Sequence, residues 1–419
     1  MSDLADRLDE LRERGLHRRL RMISGPQGPS VLLDGRPVLL LCSNNYLGLA
    51  DHPRVREAAA EAAMRWGAGA GASRLISGNM KLHRRLEERL AAFKDQEAAL
   101  LFGSGYLANI GAIAALARNG EVVFSDQLNH ASIIDGCRLS RAETFAYRHA
   151  DLDHLEWGLR KAEGRGSLIV SDGVFSMDGD VAPIEGLVRL AHRYDCRLMV
   201  DEAHATGAIG PGGRGSVAAA GLSDQVDVVV GTLGKALGSY GAYICGSRVL
   251  VDYLINVARP FIFSTAPPPP SVAAAEAALE VLISNPHRVE RLGANAKVMR
   301  EALLAEGLPL APSETQIVPV MVGDPEVTVQ LSELALERGV FAQGIRPPTV
   351  PEGTSRLRLA TMATHRGSEL VRAAKVLGDA AREIGLLTEP APEALEERDE
   401  DQWVEPERRE TTPWLEEAA

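Results

Sequence analysis

Asp201-Glu-Ala-His204 follows the apolar run Leu198-Met-Val200, and Thr232-Leu-Gly-Lys235 follows Val228-Val-Val230. Each run reads as a buried parallel strand, since strands covered on both faces are apolar throughout instead of alternating. Asp201 and Lys235 would then emerge at strand C-terminal ends, where open α/β sheets place their ligand sites. Alone, an aspartate closing a strand caps the next helix and a lysine after glycine is a solvated loop residue. Together they place a carboxylate and an amine at one cleft.

That pair suits pyridoxal phosphate (PLP): a lysine to hold its aldehyde as a Schiff base, and a carboxylate to keep its ring nitrogen protonated. Working outward, Gly103-Ser-Gly-Tyr106 follows a strand and opens a helix, whose N-terminus favours a phosphate dianion at Gly105 and Tyr106. His130, in Asn129-His-Ala-Ser132, stands where an imidazole can stack on the ring. Ser176, in Gly173-Val-Phe-Ser-Met-Asp-Gly179, offers a hydroxyl to the ring oxygen or the substrate. His204 is placed to donate to the same oxygen, and Thr232 to reach phosphate. Arg346 and Arg358 bring carboxylate-binding forks, although strand-edge arginines are commonly solvated. The glycine-rich run Gly67 to Gly71 follows a helical stretch instead of a strand, so it is no dinucleotide fingerprint. Its glycines let backbone approach something bulky, a substrate or a second subunit.

The chain has 419 residues, 45% of them hydrophobic and 24% charged, as in soluble globular proteins. No apolar run is long enough to span a membrane and no signal core opens the chain, which predicts a cytoplasmic protein. Cys42, Cys137, Cys196 and Cys245 are scattered, giving neither a disulfide framework nor a metal knot. The net charge of −12 is concentrated in residues 389–419, which carry twelve acidic and three basic side chains. The body lacks a basic stripe, which argues against nucleic-acid binding.

The pattern divides the chain into an N-terminal helix and hairpin (1–45), a large α/β domain with a mainly parallel sheet (46–270), a small α+β domain (271–388) and an acidic tail (389–419). The tail reads as disordered, with Trp403 and Trp414 as possible interaction points. The prolines 267–270 predict a rigid turn, followed by a helix from about Ser271 to Ser284.

Asn44-Asn-Tyr-Leu-Gly48, Gly103 to Tyr106, Asn129 to Ser132, Gly173 to Gly179, Asp201 to His204 and Thr232 to Lys235, in that order, closely resemble the α-oxoamine synthases. That PLP family has the aspartate-aminotransferase-like fold and joins an amino acid to an acyl thioester. The likeness covers roughly residues 5–385. It implies Lys235 as the Schiff-base lysine, Asp201 on the ring nitrogen, His204 and Ser176 near the ring oxygen, and His130 stacked on the ring. It implies Gly105, Tyr106 and Thr232 on phosphate, joined by Ser264 and Thr265 across a homodimer interface. Arg358, with Asn44 and Arg346, would meet the substrate, and Arg18, Arg19 or Arg21 the far end of the acyl chain. Within the family, Arg346 to Arg358 resembles the branch that condenses L-alanine with a pimeloyl thioester, carried by CoA or a carrier protein, in biotin synthesis. The alternatives are a glycine- or serine-using relative and a catalytically silent scaffold with this fold.

Overall fold

A computed structural model describes residues 2–13 and 17–387; the acidic tail lies outside the described residues. Near the N-terminus run β1 (Ile23–Ser24), β2 (Ser30–Leu33) and β3 (Arg36–Leu40). Seven strands follow: β4 (Ala98–Phe102), β5 (Val122–Asp126), β6 (Glu143–Tyr147), β7 (Gly166–Asp172), β8 (Arg197–Asp201), β9 (Val228–Thr232) and β10 (Ala242–Gly246). The last four are β11 (Ile317–Gly323), β12 (Val340–Phe341), β13 (Gln343–Ile345) and β14 (Ser355–Ala360).

The seven middle strands form one sheet in the order β4-β10-β9-β8-β7-β5-β6. From β6 to β9 all pairings are parallel, while β10 runs antiparallel to both its neighbours. Residues 233–241, the whole link from β9 to β10, are too few for a crossover, so the chain turns back on itself. Alternate residues supply two cores. Phe124, Ile169, Leu198, Val200 and Val229 face one layer of helices. Val123, Leu168, Val170, Met199, Val228 and Val230 face the other.

This register decides the site. Asp172 and Asp201 are Cα partners across β7 and β8, so two carboxylates close adjacent strands. Asp126 closes β5 on the same rim.

Two expectations change. The N-terminal hairpin is no separate unit: β3 pairs in parallel with β12, so Leu39 and Leu41 join the core of the C-terminal part. The helix expected from Ser271 begins at Pro269, because a proline in the first turn has no hydrogen bond to lose. The small sheet, β11-β14-β13, has β14 at its centre. All six residues of β14 are buried, Arg356 and Arg358 included, so these arginines are not on a solvated edge. Among the described residues no helix is long and apolar enough to cross a membrane.

Candidate active site

Lys235, His204, His130, Ser176, Asn44 and Arg358 line one cavity of about 230 Å³, with Cys42, Met177, Gln343 and Ile345 completing its wall. It opens over the C-terminal ends of β5, β7, β8 and β9. Residues more than 300 positions apart meet there.

Lys235 Nζ lies 2.8 Å from His204 Nε2, and His204 Nδ1 lies 2.6 Å from the Tyr46 hydroxyl. The tautomer follows from the network. Tyr46 donates its proton to Asn44 Oδ1 at 3.1 Å, so its oxygen accepts from His204 Nδ1–H, and Nε2 is left as the acceptor for lysine. Burial, then the charges of Lys235 and Arg358, hold the His204 pKa well below the ordinary imidazole value. His204 is thus a neutral acceptor toward Lys235. Burial likewise lowers Lys235, partly countered by Asp201 and Asp172, to about 8, leaving an ammonium that gives up its proton near neutrality.

Asp201 is buried beneath this pair. Its Oδ1 accepts from Ala203 N at 2.9 Å and its Oδ2 from Asn109 Nδ2 at 2.6 Å. The same amide of Asn109 reaches Ser132 Oγ at 2.8 Å. Asp172 accepts from His130 N at 2.9 Å. Burial and then the charge of Asp201 raise the Asp172 pKa well above the usual carboxylate range. His130 caps the helix Ala131–Ser140, with Nδ1 2.7 Å from Ser132 Oγ; burial holds its pKa below the ordinary value.

Arg358 reaches in from β14. Its Nε donates to Ser176 O, and its Nη2 to Asn44 Oδ1 and to the Tyr46 oxygen, both at 3.2 Å. Two positions along, Arg356 pairs with Asp178 of the same loop. Among the described residues neither Asp201 nor Arg358 has an ion-pair partner, and both are buried. Buried charges are normally paired.

The other expected residues lie elsewhere. Gly105 opens the helix Gly105–Leu116, where a Cβ would meet nothing within 4 Å, and Ser104 caps Leu107 N at 3.2 Å. That leaves a roomy, positive helix end of the kind that binds phosphate. Tyr106 is 43% exposed and its hydroxyl turns to Asp135, so its ring does not reach the cavity. Thr232 Oγ1 donates to Gly241 O and accepts from Gly234 N, both at 3.2 Å. Ser264 and Thr265 are also outside, with Thr265 bridged to Ser73 of the same chain. Arg346 follows the cavity residue Ile345 and donates to His17 O at 3.5 Å. Arg18 and Arg19 are exposed and do not line the cavity. Arg21 pairs with Glu333, lies 5.7 Å from the Phe341 ring centre and lowers the pKa of the cavity residue Cys42 against the stronger effect of burial.

Sequence reasoning missed Asn109, Asp172, Tyr46 and Gln343. Asp172 stands just after the apolar run Leu168-Ile-Val170, and that position was the available signal. No group of His, Cys, Asp or Glu able to hold a metal occurs among the described residues.

The donor set fits PLP. An unpaired buried carboxylate suits a pyridinium nitrogen, a depressed lysine suits an aldehyde, and an open helix end suits a phosphate. The class I and II aminotransferase family matches residues 36–377. The 8-amino-7-oxononanoate synthase of Citrifermentans bemidjiense is 52% identical over 391 residues, covering 92% of this chain and all of that protein. The same-named enzyme of Geobacter sulfurreducens is 53% identical over 387 residues, covering 92% of this chain and 99% of that one. Among solved structures, serine palmitoyltransferase from S. paucimobilis, with a bound PLP–myriocin aldimine, superposes with a TM-score of 0.87 at 32% identity. It covers 92% of this chain and 98% of that one. The 8-amino-7-oxononanoate synthase of Francisella tularensis gives 0.73 at 26% identity, over 83% of this chain and 99% of that one. The chain belongs to the class I and II aminotransferase family and, within it, to the α-oxoamine synthases, PLP-dependent acyltransferases that include the 8-amino-7-oxononanoate synthases.

Proposed function

We propose that this enzyme condenses L-alanine with a pimeloyl thioester to give 8-amino-7-oxononanoate, the free thiol carrier and carbon dioxide, in biotin synthesis. The observation that carries the reading is the set of charges around one cavity of about 230 Å³: Lys235, Asp201 and Arg358, none with an opposite charge bonded to it among the described residues. A zwitterionic amino acid and a cofactor with a cationic ring complete them.

PLP, when bound, supplies an electron sink for a carbanion at the α-carbon of the amino acid. Lys235 would hold it, with Asp201 toward its ring nitrogen, His130 offering a flat face, and Ser176 and His204 toward its ring oxygen. The backbone N–H groups of Gly105 and Tyr106 would take the phosphate, joined by Thr232 once its hydroxyl turns from Gly241 O. Arg358 takes the alanine carboxylate as a bidentate fork, its Nε and Nη2 oriented by Ser176 O, Asn44 and Tyr46. Lys235 Nζ would be the base for the α-proton of the substrate, since burial lowers its pKa to about 8. His204, accepting at Nε2, aims Nζ at that proton. We assign the far carboxylate of the acyl chain to Arg21 instead of Arg18, because its charge reaches the cavity residue Cys42; binding would draw it from Glu333.

Ser264 and Thr265 complete the phosphate site from a second copy. Supporting this, Cβ atoms built on Gly67, Gly69 and Gly71 meet nothing within 4 Å, and Leu75, Ile76 and Phe263 nearby are 50%, 80% and 70% exposed. An isologous homodimer would cover that surface. Sedimentation at micromolar protein tests it, with a monomer as the overturning result.

The likeness to serine palmitoyltransferase favours a second reading, in which serine or glycine joins another acyl thioester. Product mass from alanine, glycine and serine, each offered with acyl-CoAs of several lengths, decides. The expected product is 8-amino-7-oxononanoate from alanine and pimeloyl-CoA; faster turnover of serine with a long acyl-CoA would replace the proposal.

A further inference from the structure

A second charged cluster sits behind the cavity, and the reaction described above uses none of it. Asp126, at the end of β5, is 2% exposed and accepts from Leu128 N at 2.9 Å and Ala150 N at 2.8 Å. His149 lies between two carboxylates, with Nδ1 3.0 Å from Asp126 Oδ1 and Nε2 2.8 Å from Asp180 Oδ2. Both ring nitrogens face acceptor-only groups, so both donate and the ring is an imidazolium. Burial opposes that charge, but the hydrogen bonds to Asp126 and Asp180 outweigh it and push the pKa up to about 10.

The cluster joins two segments that build the cavity wall. On one side, Asn129 N donates to Asp126 O at 3.1 Å, and the next residue is His130. On the other, Asp180 and Phe175 form the base of the loop 173–180, with Phe175 N donating to Asp180 O at 3.0 Å and Gly179 N to Phe175 O at 2.8 Å. The Phe175 ring meets the His149 ring edge-on, centres 4.4 Å apart. The tip of this loop carries Ser176 and Met177 into the cavity, and Ser176 O receives Arg358 Nε. One cation thus ties the loop that orients Arg358 to the strand end that precedes His130.

We propose that His149 is a positioning residue: by bridging Asp126 to Asp180 it holds the Ser176 carbonyl where it orients Arg358, and so sets the affinity for the carboxylate of the amino-acid substrate without touching it. The inference rests on the proposed function in taking that substrate to be alanine and Arg358 to be the group that binds its carboxylate. Side chains that aim a binding group are worth as much as direct contacts when the group must be held within a fraction of an ångström.

The test uses the PLP-loaded enzyme and three variants, H149N, D180N and the double variant. Alanine is titrated without any acyl donor and followed by the visible absorbance of the cofactor; kcat and both KM values are then measured. H149N should weaken alanine binding and raise its KM roughly ten-fold, the size of one charge-assisted hydrogen bond. Cofactor content and the KM for pimeloyl-CoA should not change. D180N, which keeps the pair with Asp126, should give the same direction, and the double variant should be no worse than H149N, because both act through one bridge. Unchanged alanine affinity with only a lowered melting temperature would overturn the proposal, as would a fall in kcat at unchanged alanine KM. If H149N fails to fold, D180N carries the same test. A wild-type enzyme that responds to alanine yet makes no product with pimeloyl-CoA would defeat the proposed function, while the titration would still decide the role of His149.

Discussion

Asp201 and Glu202 are neighbours in the chain, both buried, and their surroundings are opposite. Glu202 is saturated: Lys94 Nζ at 3.3 Å, the amides of Ser216 and Val217 at 3.0 Å each, and the Ser216 hydroxyl all point at it. Lys94 is satisfied in turn by Thr206 Oγ1 at 2.8 Å and Arg214 O at 2.6 Å. Asp201 has one amide and one side-chain donor and no cation. Since successive strand residues face opposite sides, one carboxylate turns to the core and the other to the cavity. A buried charge with every partner present holds the fold together; one left incomplete marks where a ligand enters.

The comparison can be broken by substitution. The largest effect belongs to the cavity side: Lys235→Ala should abolish product formation and the visible absorbance of lysine-bound PLP, and a variant that kept that band would sink the assignment. Asp201→Asn should lower kcat by about two to three orders of magnitude, as removal of one preorganised electrostatic group does, while the unfolding midpoint stays near that of wild type. Glu202→Gln should do the reverse. Leaving Lys94 charged and unmatched costs about 3–5 kcal/mol of stability, measurable by urea unfolding, and joining it to Lys94→Met should recover part of that loss. If Glu202→Gln kept its midpoint but lost turnover, the division between the two carboxylates would fail.

Smaller effects come from pH. Capture of added PLP by the cofactor-free enzyme should speed up as pH rises through about 8 and then level off, following deprotonation of Lys235. Because Asp201 and Asp172 both raise that pKa, Asp172→Asn should move the midpoint lower. The His149 bridge has the opposite sense. Its folded pKa of about 10 lies above the ordinary 6.5, so its stabilisation is complete below about 6.5 and fades as pH climbs through 10. Urea midpoints for wild type and H149N should therefore converge at alkaline pH.

Much of the large sheet was legible because β8 and β9 are covered on both faces and so read as unbroken apolar runs that stop at Asp201 and Thr232. β6 was not. It is the sheet edge, and Glu143 and Thr144 are exposed, so no apolar run marks it. The helix His287–Ala305 went unread for a related reason: Arg288 and Asn295 are among its buried residues, which blurs its apolar face. At the site, Lys235, His204, Asp201 and His130 each sit in a short motif beside a strand end. Tyr46 lies in the motif Asn44 to Gly48, but its place at the site, like that of Gln343, depends on pairings across long separations, 158 residues in the case of Tyr46 and His204. Arg358 was visible as a residue type, but its burial follows from β14 being the central strand.

The pairing of β3 with β12 sets a schedule for the growing chain. Leu39 meets Val340 about 300 residues later, so at elongation rates of about 5–20 residues per second these strands wait on the order of 15–60 s for their partner to be synthesised. Throughout that time Leu39 and Leu41 lack the core that finally covers them. The large sheet can form while they wait, and the cavity acquires Gln343, Ile345 and Arg358 only after residue 340 has been made. A ribosome stalled before residue 340 would therefore carry a nearly complete large sheet whose site has the lysine but lacks the arginine.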